Sequence, residues 1–305
     1  MVLSLAQLSA GSRRLMELYI PPPSDQLTYH QGGAVLNGDI PVSFIWYGKF
    51  TPAQKSILSD FFFSLTAAPN APTPSVGKWW NTIEQLYLSN AAVTASRNGA
   101  TTATRVLLDA QVSDEACSLG KSLTLAQVEQ LAARVGSGKK GGVALVFTDE
   151  DVAVEGFCSS RCGKHGSAPG GDSTYIWVGN SVKQCPGHCA WPFAQPEYGP
   201  QGAPLVAPNG DVGMDGMVMV AAAMMAGTVT NPYGDAFYQG AREAPLEAST
   251  ACPGVYGSGA YPGYPGNLLV DQMTGASYNA NGANGRKYLL PALYDPATAS
   301  CSTLV

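Results

Sequence analysis

The side chains able to do chemistry are few and unevenly spaced. Seven cysteines stand at Cys117, Cys158, Cys162, Cys185, Cys189, Cys252 and Cys301. The middle four form two Cys-x-x-x-Cys pairs, a pattern that either chelates zinc or closes disulfides. Zinc ribbons space their cysteines one residue tighter, so a disulfide cluster is the better reading, and no metal or other cofactor is expected. The histidines are His30, His165 and His188. None lies three or four residues from another, as helical zinc ligands would. His188 between Cys185 and Cys189, and His165 just past Cys162, read as exposed loop histidines beside disulfides. A serine or cysteine nucleophile would need a histidine base, yet there is no Gly-x-Ser-x-Gly elbow, and Gly257-Ser258-Gly259 reads as a flexible loop.

Carboxylates gather at Asp149, Glu150, Asp151 and Glu155, just after the apolar run 142–148. That is where α/β sheets present ligands, and a glycosidase would need two such groups. A solvated strand-to-loop transition is the plainer account. Trp79, Trp80, Trp191, Tyr256, Tyr261 and Tyr264 offer a different function, a platform of planar rings for a sugar or peptide. Core packing of the tryptophans and loop packing of the tyrosines compete with it.

The elements that must position these groups are legible in part. Asn37-Gly38 predicts a hairpin turn between 34–36 and 40–47. Thr51-Pro52 caps a helix to Leu65, with Ile57, Leu58, Phe61, Phe62 and Leu65 at helical spacing. A second helix is expected at 75–88, a strand at 104–110, and a helix at 124–135 capped by Thr124. The all-apolar strand 142–148 is of the kind buried on both faces, and 174–178 is another. A helix at 213–229, apolar nearly all round, belongs in a core and ends at Asn231-Pro232. Beyond it the chain is rich in Gly, Pro and Tyr. Strands alternating with helices predict an α/β (α+β) sheet, with the irregular C-terminal half wrapped around the central helix.

Composition sets the bounds. Of 305 residues 45% are hydrophobic and 13% charged, half the usual charged share of about a quarter, so the chain can bury a sizeable core. A formal charge of -5, with Gly138-Lys139-Lys140 as its basic cluster, argues against nucleic acid as a partner. The apolar run 216–229 is short and rich in small residues, so no membrane span is expected. The 35 glycines and 22 prolines make ordering the second half costly, a cost that disulfides would offset. Residues 1–26 read as a leader or flexible N-terminus, and its apolar stretch, broken by Gln7 and without a basic start, is a weak secretion signal. Residues 27–305 read as one domain.

The motif string then narrows the reading. Ile40-Pro41-Val42-Ser43-Phe44-Ile45-Trp46-Tyr47-Gly48-Lys49-Phe50, Cys185-Pro186-Gly187-His188-Cys189-Ala190-Trp191-Pro192-Phe193 and Gly257-Ser258-Gly259-Ala260-Tyr261-Pro262-Gly263-Tyr264-Pro265-Gly266, with 27–30, 118–124 and 285–292, resemble the EXORDIUM/phosphate-induced protein family of plants over nearly the whole chain. The resemblance implies an extracellular protein of the apoplast and cell wall, linked to growth and cell expansion. It also implies a zincin-like sheet-and-helix scaffold, because some relatives carry a His-Glu-x-x-Glu/His motif on the central helix. A zincin needs two ligands at i and i+4 with a Glu beside the first. Those positions here are Ala223, Met224 and Gly227, which cannot bind zinc or move a proton. An acidic residue of such relatives falls near Glu247, which without the helix ligands reads as a structural hydrogen-bond acceptor; Glu243 precedes it. The resemblance further implies three disulfides, Cys252–Cys301 and two among Cys158, Cys162, Cys185 and Cys189, leaving Cys117 unpaired. The expected function is non-enzymatic binding of a wall or apoplastic protein or polysaccharide, with Trp79, Trp80, Trp191, Tyr261 and Tyr264 as the candidate platform. The alternative is a hydrolase, peptidase or glycosidase, using acidic residues not yet placed.

Overall fold

The computed structural model describes residues 26–66, 72–90, 93, 103–136, 141–167, 173–242 and 245–305. Residues 1–25 of the expected leader, the 138–140 cluster and Glu243 lie outside them.

The centre is a five-stranded sheet of β1 (Asp39–Tyr47), β2 (Arg105–Asp114), β3 (Val143–Thr148), β4 (Gly163–Ser167) and β5 (Thr174–Gly179). In space the order is β2-β1-β3-β5-β4; the first four are parallel and β4 is antiparallel. Every residue of β3 and β5 is buried, as a strand covered on both faces requires. Side chains alternate between two cores. Phe44, Trp46, Phe147, Ile176 and Val178 face one set of helices. Ile45, Tyr47, Val146 and Trp177 face the other side.

The first face is covered by α1 (Pro52–Leu65), α2 (Val76–Ile83) and α4 (Val212–Thr230), and the second by α3 (Leu125–Gly136). Thr51 caps α1 in a capping box with Gln54, Ser75 caps α2, and the Thr124 hydroxyl accepts the Gln127 N–H to start α3. α2 continues as a π-helical turn over Glu84–Leu88. The 19 residues of α4 match a bilayer-crossing helix in length and composition, longer than the sequence reading allowed, and 78% of its most apolar stretch is buried inside the protein.

The mixed α/β class agrees with the sequence. The hairpin does not form. Segment 34–36 pairs with no strand; the Leu36 N–H donates to the carbonyl of Val229. β1 lies between two parallel strands, because its two buried faces gain more from the sheet interior than from a local turn. Beyond α4 the described residues form short strand pairs and one tight helical turn, Ala283–Gly285, strapped onto α1 and α2. The Trp79 indole N–H donates to Pro291, the Tyr288 hydroxyl to Ile57, and Arg286 pairs with Asp60. The disulfides are Cys158–Cys185, Cys162–Cys189 and Cys252–Cys301; Cys117 is free and buried, and burial pushes its thiol up.

One carboxylate in the first turn of α4 sets a pH dependence. Asp215 is buried and accepts two hydrogen bonds from Asn209, at 2.9 and 2.6 Å. Burial pushes its pKa from 3.8 to about 7, against the pull of the Asn209 bonds. A raised carboxylate pKa means the folded chain keeps a proton that the unfolded chain releases. The stabilisation is therefore full below the unfolded value and lost as pH rises through about 7. The thermal midpoint is expected to fall by several degrees between pH 5 and pH 8, and Asp215→Asn to flatten that slope; calorimetry across the range checks it.

A candidate binding cleft over the central helix

The cleft begins on the one face of α4 that its neighbours leave open. Most of the helix is buried, but Val220, Ala223 and Met224 are only half-buried. β4 runs beside them at close quarters. A Cβ on Gly163 would lie 2.7 Å from Val220 Cγ1 and 3.2 Å from Met224 Cγ, so glycine is what lets the strand approach. Two adjoining cavities follow. One, of about 570 Å³, is lined by β4, Arg161, Met224, Arg242, Glu247 and Thr250, among others. The next, of about 480 Å³, passes Gly163, Val220, Ala223 and Met224 towards Trp191 and Tyr256. Ala223 and Met224 thus border the cleft, whereas Gly227 is sealed beneath a polar cluster.

That cluster is His165, Glu247 and Asn231. His165 Nε2 and Glu247 Oε2 are 2.6 Å apart, and Asn231 Nδ2 donates to Glu247 Oε1 at 2.7 Å. Their side chains are nearly buried; those of His165 and Glu247 are 12% and 7% exposed. Asn231 precedes Pro232 and leaves the helical conformation at φ -149, ψ 55, as a residue before proline must. Its amide also accepts the Ala236 N–H. The loop after α4 brings Glu247 back over the helix end, and the Glu247 N–H donates to the Thr250 hydroxyl. His165 Nδ1 and Ser249 Oγ are buried with no partner among the described residues. Glu247 fixes the imidazole through Nε2 and leaves Nδ1 without a partner. His165 is therefore a strand residue of the cleft, not the exposed loop histidine the sequence suggested. Glu247 is the hydrogen-bond acceptor that was expected.

The other acidic residues are occupied structurally. Asp149 accepts the Lys49 and Glu150 N–H groups, and burial raises its pKa. Glu150 pairs with Lys183 and Asp151 with Lys121, and Glu155 accepts the Leu125 N–H at the start of α3. Cys162, His188 and Cys189 bring their donor atoms within 4.8 Å of one another, yet both sulfurs belong to the Cys162–Cys189 disulfide. His188 itself is exposed.

The aromatic set divides. Trp79 and Trp80 are 2% and 5% exposed, and their N–H groups are spent on Pro291 and Thr104. They leave the expected platform because helical spacing points both into the core. Trp191, Tyr261 and Tyr264 come together instead. Trp191 follows the helical turn Pro186–Cys189, whose exit packs on α4 where a Cβ on Gly216 would lie 2.7 Å from that of Ala190. Its ring sits 6.1 Å from that of Tyr256. It borders a cavity of about 330 Å³ with Tyr264 and Pro265 and another of about 520 Å³ with Tyr261 and Pro262. The Tyr261 and Tyr264 rings are 5.1 Å apart.

Sequence reasoning missed β4 and the His165–Glu247 pair. Gly163 and Gly166 are poor strand formers, no alternation marks the segment, and the partners are 82 residues apart, so no local signal joins them.

A family model described as the phosphate-induced protein 1 conserved region matches residues 27–304. Protein PHOSPHATE-INDUCED 1 of Nicotiana tabacum is 54% identical over all of this chain and 96% of its own. Protein EXORDIUM of Arabidopsis thaliana is 53% identical over 99% of this chain and 96% of its own. Protein EXORDIUM-like 6 of Arabidopsis thaliana is 32% identical over 88% and 89%. No solved structure matches the chain.

Proposed function

Because the chain belongs to the phosphate-induced protein 1 family, which includes EXORDIUM, we propose that it is a secreted, wall-associated plant protein. In this reading it promotes or regulates growth and cell expansion by binding a wall polysaccharide, without catalysing a reaction. Three disulfides in a Gly/Pro-rich chain fit an oxidising, extracellular compartment. The scaffold is read as zincin-like, with a helix face that carries Ala223 and Met224 on the cleft where ligands would stand.

The observation that carries the reading is the junction at Trp191. Two proline-lined cavities meet there, with Tyr261 65% exposed at one of them. Rigid rings beside apolar hollows suit the flat faces of sugar rings, giving large contact area at little entropic cost. Sedimentation with insoluble cellulose, xyloglucan and pectin tests it. Wild-type protein is expected to be retained by at least one, and Trp191→Ala/Tyr261→Ala to lose roughly tenfold or more in affinity, as expected for a central aromatic anchor. Undiminished binding by the double variant, or turnover of the polysaccharide, would reject the reading.

A further inference from the structure

We infer that the cleft beside β4 binds an extended acidic peptide, which joins the sheet as an added strand. The inference does not rest on the polysaccharide reading, since it uses different groups. β4 is an edge strand with β5 on one side and, among the described residues, no strand on the other. The Cys162 carbonyl accepts the Gly179 N–H, which places the residue before β4 in a hydrogen-bonded pair. Antiparallel alternation then turns the N–H and C=O groups of Gly163, His165 and Ser167 away from β5. No described group bonds them.

An open row of backbone donors and acceptors is a template for another chain, and adding a peptide strand to it is a recurrent mode of recognition. Five residues span about 17 Å. The row also borders a cleft with room beside it, the cavity of about 570 Å³. His165 is among the residues that line that cavity, and its Nδ1 is buried without a partner.

Charge selects the occupant. Arg161, Lys164 and Arg242 line this cavity, and the carboxylate among its described lining residues is Glu247, which His165 and Asn231 already hold. The Lys164 ammonium turns to Glu129 at 4.0 Å and to the Tyr175 ring, on the α3 side of the sheet, so the cations left to the cleft are the two arginines; neither has a carboxylate partner among the described residues. In a chain of net charge -5 this local excess of cations favours a partner bearing Asp or Glu.

The test uses the full chain immobilised and three probes. These are a pool of proline-free nonapeptides with Asp or Glu at alternate positions, the same pool with Lys or Arg there, and oligogalacturonate as an acidic sugar. The acidic peptides are expected to be enriched at least tenfold over the basic ones. Hydrogen exchange should slow at the amides of Gly163, His165 and Ser167. Arg161→Glu/Arg242→Glu should abolish the enrichment. Ser167→Pro, which removes one outward N–H and leaves the ladder to β5 in place, should weaken it at least tenfold. If that proline unfolds the chain, the arginine pair, on the cleft surface, still decides the matter. No enrichment, enrichment of the basic pool, or retention of oligogalacturonate with no protection along β4 overturns the inference.

Discussion

Ala223→His/Met224→Glu/Gly227→Glu, the variant that would rebuild a zincin motif, is expected to unfold, with Gly227 alone responsible. Ala223 and Met224 stand half-buried on the cleft, where polar side chains reach water. Their double replacement should cost about 1 kcal/mol, an ordinary surface-edge change. Gly227 has no such room. A Cβ there would lie 2.7 Å from Glu247 Oε2 and 2.8 Å from His165 Nε2, so any side chain must expel the pair. A glutamate adds a second carboxyl group beside the first, and each buried polar group left without its hydrogen bond costs about 1–3 kcal/mol. Even a folded fraction would lack the outer partners that orient zinc ligands. Denaturant titration of the double and triple variants, with elemental analysis for zinc, separates these effects. A triple variant as stable as wild type and holding one zinc would show that the space beneath His165 adapts.

Loss of the Cys252–Cys301 bond should be nearly as damaging. The two residues are separated by 49 positions, and closing such a loop removes about 4 kcal/mol of unfolded-state entropy in the chain-entropy model. The segment it encloses has few regular elements, and Cys252 is 2% exposed. Cys252→Ser/Cys301→Ser is therefore expected to lower the denaturant midpoint sharply, by close to 4 kcal/mol of stability, with the other two disulfides intact on peptide mapping. A shift under 1 kcal/mol would mean that the contacts of Trp79, Tyr288 and Arg286 hold the C-terminal half by themselves.

The parts of the fold that the sequence disclosed are those with local causes. Thr51 and Pro52 announce α1 ahead of its first buried side chain, Ile57, and the unbroken apolar run of β3 can sit only inside a covered sheet. β1 misled because Asn37-Gly38 is a strong local hairpin signal, while the strand's real partners begin near residues 105 and 143. Parallel pairing leaves no mark in the turn that precedes it. The same limit governs the cleft. Trp191, Tyr261 and Tyr264 were visible as residue types, but only tertiary packing separates them from Trp79 and Trp80. His165 and Glu247 meet because β4 folds against the end of α4, a contact that no periodicity encodes.

The Cys252–Cys301 bond also decides what a protease can accomplish. The stretch between the two cysteines is long, poor in regular structure and marked by exposed points such as Tyr261 and Met273, where nicking concentrates. A single cut there would sever the polypeptide but release nothing. The C-terminal piece would stay joined to the body through sulfur, and the Ser258–Val305 hydrogen bond would still hold its last residue in place when the cut falls beyond Asn267. Seen from a protease-rich surrounding, the segment from Cys252 to Cys301 is a closed ring, and a ring must be opened twice before any of it is lost.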